Sequence, residues 1–478
     1  MLGLFGTLNL GTRSLQTQQT GVEVTGQNLA NVNNTAYARQ RVQIETSITL
    51  PSGAGPQGTG AQVTAIEQVR NALLDGQIRA EQSVGGYWEA QQSALQQIQA
   101  GLGELLNRSA DSVSATSGTS SSSSLSDALT GLFNAFQSVA ASPNSLPEQQ
   151  ALVSAAQTLS TRFNDISKRL TESHDQLDAS LTQDISSANQ LFSDIADLND
   201  QIAKAELPMG GTANDLRDMR EKKLEELGKL VDFQTSTAAD GSVDISIGGI
   251  TFVSGNQVAD TLETFGWTGQ SYGGNELLAH SVKGQSVVAV HGGSIAGTID
   301  TRDGALKQTR DDLNVLAGHL INSINTVYRT GFSSTGTTGS NFFAGTNAAT
   351  MAVDPTLLSN PSLLQSAGAA NSPGDNSIVL ALAQLAQQKF SGLNNQTYGA
   401  AYGKIVADFG YSLQNANDQL ANHDSVNGLL LKQRDSISGV SIDEEMTNLL
   451  TYQKAYQASA KIVTTVDEML DTILNMKR

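Results

Sequence analysis

The sequence predicts a mainly α-helical fold with a β insertion: N- and C-terminal helices paired as a coiled coil, a long-helix rod domain and a small all-β outer domain. Three features predict it. Apolar residues recur every seven positions at both ends of the chain, Glu148 to Leu207 contains neither Gly nor Pro, and Val243 to Phe252 alternates with period two around a Gly pair. A spacing of seven marks helix-on-helix contact of coiled-coil type, and alternation marks a half-buried strand.

At the N-terminal end the apolar series is Met1, Leu8, Leu15, Val22 and Leu29, with Leu4, Gly11, Gln18, Thr25 and Val32 at the companion position. One side of the seam is apolar and the other mostly small or polar. Gly21 and Gly26 lie inside the helix, each costing about 1 kcal/mol relative to Ala, so the helix is weak alone. From Val42 the period changes to two (Val42, Ile44, Thr46, Ile48, Leu50), which reads as a strand, and Pro51 to Gly60 is a loop. Helical pattern resumes near Asn71 and runs to about Leu106, with an expected break at Gly85-Gly86. Ser114 to Ser124 is a Ser/Gly/Thr connection without core-forming residues.

Ser145 and Glu148 can cap the long helix that follows, which at 1.5 Å per residue spans about 90 Å. Its seam is regular, with Leu170, Leu177, Leu191 and Leu198 in one heptad position and Leu181, Ala188, Ile195 and Ile202 in another; His174 and Asp184 interrupt the two series. Pro208 to Gly211 ends it, and a shorter helix from Asn214 to about Leu230 is expected to turn back along it. Val243, Ile245 and Ile247, then Gly248-Gly249, then Ile250 and Phe252 form a hairpin signature inside a small β domain. Helix returns from Ala305 to Tyr328, residues 331–376 are loop-rich, and helices resume to about Ser438.

The C-terminal helix opens on a capping box, Ser441-Ile442-Asp443-Glu444, has Asp443, Glu444 and Glu445 in its first turn, and ends on Lys477-Arg478, both in favour of the helix dipole. Its series is Ile442, Leu449, Tyr456, Val463 and Leu470, with Tyr452, Ser459, Val466 and Ile473 as companions. Two readings of these end stripes stay open: helices partly disordered in the monomer that fold on association, or helices docked on the chain's own core. The chain divides into a terminal assembly domain (1–60 with 440–478), a helical rod domain (61–230 with 305–439) and an inserted β domain (231–304). The candidate contacts are Leu8, Leu15, Val22 and Leu29 against Ile442, Leu449, Tyr456, Val463 and Leu470.

Composition bounds the function. A length of 478 residues suits roughly three domains. A net charge of −18 repels phosphate backbones and anionic lipid, so neither nucleic acid nor peripheral membrane is an expected partner. The chain has no cysteine, which excludes disulfides, thiolate metal sites and cysteine nucleophiles. The N-terminus carries no basic region or long apolar run, so no Sec-type signal is expected, and no run of about 18 apolar residues exists to span a membrane. The five histidines (His174, His280, His291, His319, His423) show no metal-ligand spacing, and no cofactor is expected. Gly269-Gln270-Ser271-Tyr272-Gly273 matches GxSxG, with His291 or His319 as conceivable partners. A nucleophile elbow needs a hydrophobic strand before the Ser and a helix after it, and neither flank supplies one. A turn in the β domain is the simpler reading, and the chain reads as a non-enzyme.

Gly26-Gln27-Asn28-Leu29-Ala30-Asn31-Val32-Asn33 with Tyr37-Ala38-Arg39-Gln40 resembles the N-terminal motif of the flagellar rod, hook and hook-associated axial proteins. Ser438 to Glu445, with Tyr452-Gln453-Lys454-Ala455-Tyr456 and on to Lys461, is similar to that family's C-terminal motif. Phe342-Phe343-Ala344-Gly345, Val353-Asp354-Pro355 to Asn360-Pro361, and Gly374-Asp375-Asn376-Ser377 to Ala383 resemble its hook-associated branch. The family usually has Thr-Pro-Gly-Tyr where this chain has Asn34-Thr35-Ala36-Tyr37, which implies a less sharply bent exit from the first helix. The resemblance implies a structural subunit at the hook–filament junction, with its end helices in the inner wall of the axial tube. It implies other copies of itself in a ring, hook protein and hook-associated protein 3 (FlgL) as partners, and an export chaperone at the C-terminal region. It also implies an extracellular place in the flagellum, reached through the flagellar type III apparatus. Other readings are a different axial protein (hook protein or hook-associated protein 3), the serine hydrolase, and a secreted adhesin that binds through the β domain.

Overall fold

The computed structural model describes residues 3–51, 55–102, 124–207, 211–267, 276–284 and 286–476. In chain order these form α1 (Leu4–Ala30), β1 (Gln40–Thr46), β2 (Thr49–Leu50), β3 (Gln57–Gly58), β4 (Ala61–Gln68), α2 (Ala72–Leu102), α3 (Leu125–Ala141), α4 (Leu146–Glu206) and α5 (Asn214–Leu230). There follow β5 (Gln234–Thr237), β6 (Val243–Ile247), β7 (Ile250–Ser254), β8 (Gln257–Val258), β9 (Leu262–Trp267), β10 (Glu276–Ser281), β11 (Ser286–Val287), α6 (Gly293–Asp300) and α7 (Lys307–Tyr328). The last elements are β12 (Phe343–Ala344), β13 (Ala352–Val353), α8 (Pro355–Ser359), α9 (Ser377–Gln384), α10 (Tyr398–Ser438) and α11 (Ile442–Asn475). The fold is mainly helical with small antiparallel sheets, as expected. Two compact units result, one of residues 1–86, 184–293 and 422–478, the other of 87–183 and 294–421.

In the first unit, α1 lies against α11, and β1 pairs antiparallel with β4 (Val42 opposite Ile66), with a bulge between Gln43 and Ile44. The expected single strand from Val42 to Leu50 is broken at Ser47, which is buried and accepts from the Arg13 guanidinium, so the backbone turns there. β5 to β8 form a four-stranded meander. In β6 the alternation is real: Val243, Ile245 and Ile247 are buried, and Gly248 and Gly249 both take positive φ in the turn to β7, which only glycine does without strain. The sheet packs on α4, where Phe192 stacks on Phe252 at 5.2 Å. Asn199, fully buried on α4, donates to the Val243 and Gly255 carbonyls and accepts from the Val243 N–H and from Arg220 of α5. Arg217 to Glu206, Arg220 to Asn199 and Lys223 to Asp194 run α5 back antiparallel along α4.

The second unit has one core. The α4 residues Leu152, Leu159, Phe163, Ile166 and Leu170 meet Phe133 and Phe136 of α3, Leu313, Leu316, Leu320 and Ile324 of α7, and Tyr398 and Tyr402 of α10. α3 was not expected from sequence. Phe342 and Phe343 are fully buried, held by Asn325, whose side chain bonds the backbone of both. Between α6 and α7, Thr301–Leu306 is π-helical, and this turn carries the buried Arg302 into ion pairs with Asp178 and Asp303. Helix thus begins at Gly293, inside the segment assigned to the β insertion.

The α4 heptads are as expected: Leu170, Leu177, Leu191 and Leu198, and Leu181, Ala188, Ile195 and Ile202, are all buried. The break expected at Gly85-Gly86 does not occur, because α2 continues through both. Gly86 instead allows close approach of another helix. A Cβ there would come within 2.2 Å of the Lys229 carbonyl oxygen of α5. Gly131, on an exposed turn of α3, would meet open space. Gly86→Ala should therefore destabilise the first unit by roughly 1–3 kcal/mol through overpacking. Gly131→Ala should stabilise the protein by up to about 1 kcal/mol through helix propensity. Urea unfolding of the two variants decides; equal midpoints for Gly86→Ala and the parent would refute the close-approach argument.

Candidate assembly interface

The first and last helices run antiparallel along a seam of small residues. A Cβ at Gly11 would come within 2.7 Å of a Val463 methyl, and one at Gly21 within 2.6 Å of the Tyr452 ring. Ser14 Oγ lies 2.7 Å from Ser459 Oγ. At the far end, Leu4 shares a cleft with Met469 and Ile473. These glycines weaken the isolated helix, and Gly11 and Gly21 are the points where the partner side chains sit directly on the backbone.

Near the end of α1 the seam becomes a buried polar cluster. Asn28, 1% exposed, donates from Nδ2 to the Gln40 carbonyl (2.9 Å) and to Glu445 Oε2 (3.0 Å). Its Oδ1 accepts from the Tyr37 hydroxyl (2.8 Å) and the Gln40 N–H (2.9 Å). All four hydrogen-bonding places of the amide are therefore used. Glu445, 2% exposed, also accepts from Arg39 Nε at 2.8 Å, and Arg39 Nη1 reaches Glu444 at 2.7 Å. The expected capping box does not form: Ser441 makes no side-chain cap bond, and the Glu444 carboxylate pairs with Arg39. The exit turn forms without Pro-Gly, as the Asn34 side chain accepts from the Ala36 N–H and the Asn34 carbonyl from the Tyr37 N–H.

A second polar contact fastens this region to α5. Asp218 accepts from the Ala38 N–H (3.1 Å) and Arg70 (3.0 Å), and Asp215 accepts from Gln40 Nε2 (2.9 Å). Burial pushes the Asp218 carboxyl from 3.8 up to about 6, against the lowering effect of Arg70. Burial, reinforced by Asp215, Asp218 and Glu445, also raises the Tyr37 phenol well above its usual range, so it stays a donor. A cleft of about 610 Å³ lies between the Asn31–Arg39 loop and Arg434–Ser441. Its three guanidiniums are each committed to carboxylates: Arg39 to Glu444 and Glu445, Arg70 to Asp75 and Asp218, Arg434 to Glu225. Among the described residues no cluster of His, Asp and Glu is placed to hold a metal ion, and no helix is long and apolar enough to cross a membrane.

The expected contact residues fall on the two paired helices, and of them Val463 sits directly on Gly11 of α1. Leu8, Leu15, Val22, Leu29, Leu449, Val463 and Leu470 are half-buried, while Ile442 (52%) and Tyr456 (41%) are exposed. The fully buried residues of α11 are instead Ser459 and Val466 of the companion series, extended back by fourteen from Ser459 to Glu445, with Tyr452 of the same series on Gly21. A search for apolar repeats passes over Glu and Ser, and only the shared spacing of seven could have pointed to them. Met1, the GxSxG segment, the expected end of the second helix (Gly103–Leu106), most of Ser114–Ser124, Pro208–Gly210 and Lys477-Arg478 lie outside the described residues.

Residues 115–343 match the family model for the helical domain of flagellar hook-associated protein FlgK, and 432–476 match that for the C-terminal region of the flagellar basal body rod proteins FlgEFG. The chain is 28% identical over 525 residues to flagellar hook-associated protein 1 of Bacillus subtilis, covering 99% of each. It is 23% identical over 573 residues to flagellar hook-associated protein 1 of Salmonella typhimurium, covering 98% of this chain and 99% of the other. A stretch of 106 residues, 22% of this chain and 17% of the other, is 37% identical to flagellar hook protein FlgE of Caulobacter vibrioides. The solved structure of the flagellar hook junction protein FlgK from Burkholderia pseudomallei is similar in fold, with a TM-score of 0.64 at 14% identity over 76% of this chain and 100% of that one.

A carboxyl whose pKa is higher in the folded than in the unfolded chain favours folding in its protonated form. That contribution is complete below about pH 4 and is lost as pH rises through about 6. Between pH 4 and pH 7, wild-type protein should lose roughly 1–2 kcal/mol of stability relative to Asp218→Asn. Urea unfolding at both pH values measures it; parallel pH profiles would rule out a buried, raised Asp218.

Proposed function

We propose, from the premise that this chain belongs to the flagellar hook-associated protein 1 family, that it is the structural subunit of the bacterial flagellum that forms the hook–filament junction and allows the filament to assemble on the hook. The observation that carries this reading is the match over 99% of both chains, reaching into both end helices. The activity is self-association rather than catalysis. Leu8, Leu15, Val22, Leu29, Ile442, Leu449, Tyr456, Val463 and Leu470 are assigned to assembly, with neighbouring copies in a ring covering what α1 and α11 leave open.

Several features support the finer reading. The large apolar side chains exposed on α11, Ile442, Met446, Leu450, Tyr456, Met469 and Ile473 among them, need a cover. Other copies supply it in the flagellum, and an export chaperone supplies it at the C-terminal region before assembly through the type III route. The stretch shared with a hook protein favours hook protein as the neighbour on one side, and hook-associated protein 3 (FlgL) is assigned to the other. The division into a terminal assembly part (1–60 with 440–478), a helical part (61–230 with 305–439) and an inserted β part (231–304) belongs to the same reading.

Tyr456 is exposed, so a charge there does not disturb the packing of α11 on α1. Tyr456→Asp should leave the thermal midpoint within a degree or two of the parent, since surface changes usually stay within about 0.5 kcal/mol. Incorporation into flagella should fall at least about tenfold, since a buried unpaired charge costs several kcal/mol. Electron microscopy of a deletion strain, with an immunoblot for flagellin in the medium, tests the junction role. Hooks without filaments and flagellin released outside are expected, and restoration of normal filaments by Tyr456→Asp would remove Tyr456 from the interface.

A further inference from the structure

α11 inverts the usual arrangement of an amphipathic helix. It buries a carboxylate (Glu445) and a hydroxyl (Ser459) alongside Val466, and leaves Ile442, Met446, Leu450, Tyr456, Met469 and Ile473 exposed. The stripe Leu449, Tyr456, Val463 and Leu470 sits on the same helix only about 60° round from Ser459, since a step of three residues is 300°. Val463 of that stripe already rests on Gly11, and hydrophobic burial alone would turn the helix further, to bring Tyr456 and the exposed Ile442, Met446 and Leu450 toward α1.

Glu445 opposes that turn. Its carboxylate meets Asn28 Nδ2 at 3.0 Å and Arg39 Nε at 2.8 Å, and neither donor can follow a rotating helix. Asn28 is fixed by three further bonds, to the Tyr37 hydroxyl and to both backbone groups of Gln40. The Arg39 backbone is fixed by its N–H on the Ser438 carbonyl and by its carbonyl under the Val69 N–H. Turning Glu445 away would strand a buried amide N–H and a guanidinium, and stranded buried donors are costly. Buried polar groups that choose one arrangement among several apolar ones are the best-attested use of such clusters.

We propose that Glu445, held by Asn28 and Arg39, is a positioning residue that sets the rotation of α11 about its own axis. It keeps Tyr452 on Gly21 and Ser459 on Ser14 of α1 and leaves Tyr456, with Ile442, Met446 and Leu450, turned outward. What that exposed stripe then does rests on the assembly reading above; the rotation itself does not.

The absence of cysteine from the chain makes the test direct. Two double variants, S14C/S459C and S14C/Y456C, are oxidised with diamide as dilute full-length monomer, and intrachain disulfide formation is followed by non-reducing gel and mass spectrometry. In the parent background S14C/S459C should close about tenfold faster than S14C/Y456C, the discrimination expected when a charged hydrogen bond fixes one geometry. Glu445→Leu should bring the two rates to within about twofold. Glu445→Gln, which keeps an acceptor for Asn28, should retain most of the preference. Arg39→Met, which leaves α11 untouched, should shift the ratio in the same direction as Glu445→Leu. An unchanged ratio in Glu445→Leu and Arg39→Met overturns the proposal. So does equal slowing of both pairs, which would make the cluster a clasp rather than a setter of rotation. Incorporation of Glu445→Leu into flagella is scored separately. A changed ratio with normal incorporation upholds the positioning role and counts against the assembly reading; an unchanged ratio with lost incorporation does the reverse.

Discussion

Glu445 can keep its carboxylate almost wholly out of water because Asn28 and Arg39 meet it there, and much of the first unit is arranged around that meeting. An ion in such a place is tolerated only with excellent geometry and every remaining polar group satisfied. That requirement dictates the route of the chain after α1. The Asn31–Ala36 turn returns the backbone so that Tyr37 and Gln40 close around the Asn28 amide, and β1 leaves from that point paired with β4. The same segment presents Ala38 and Gln40 to Asp218 and Asp215 of α5. One buried amide therefore ties together the exit from the first helix, the start of the last helix, and the polar contact with the helical hairpin α4–α5.

The seam between α1 and α11 follows from the same constraint. With rotation settled by polar groups, the facing positions have no need to be large and apolar. Gly11, Ser14, Gly21 and Ser459 let the backbones come close instead. Val466 is the one apolar residue of α11 that is fully buried among its described residues. The second unit is built the other way, on a dense core in which Phe136, Phe342, Phe343 and Tyr328 lie in ring contact.

The long-range helical architecture was legible in the sequence because it rests on periodicity. The α4 heptads, the α5 return and the β6–β7 hairpin were all read from spacing and turn residues, and each is found where it was expected. The resemblance at the chain ends singled out the run from Gly26 to Gln40 and the run beginning at Ser438, which meet through Asn28, Arg39 and Glu445. The inner face of that region was not legible. A count of apolar repeats favours the exposed Tyr456 over the buried Glu445 and Ser459, since it weighs a residue by its own polarity and ignores what meets it. Gly86 was misread for a related reason: a glycine in a helix looks like a break unless the neighbouring backbone is known. β4 takes its form from a partner distant in sequence, Val42 opposite Ile66, whereas α3 carries a clear helical spacing (Leu125, Leu129, Leu132, Phe136, Val139) behind a Ser124 cap that the reading passed over.

The Asn28–Glu445 bond joins residues 417 positions apart. Closing so large a loop is entropically expensive, but the cost grows only with the logarithm of its length, and doubling the intervening chain adds about 0.6 kcal/mol. The end pair is therefore nearly indifferent to how much polypeptide lies between its two halves. Alignments with relatives run to 525 and 573 positions against 478 residues here. Domains can be enlarged, trimmed or exchanged in the middle of such a chain at almost no thermodynamic penalty to the paired ends.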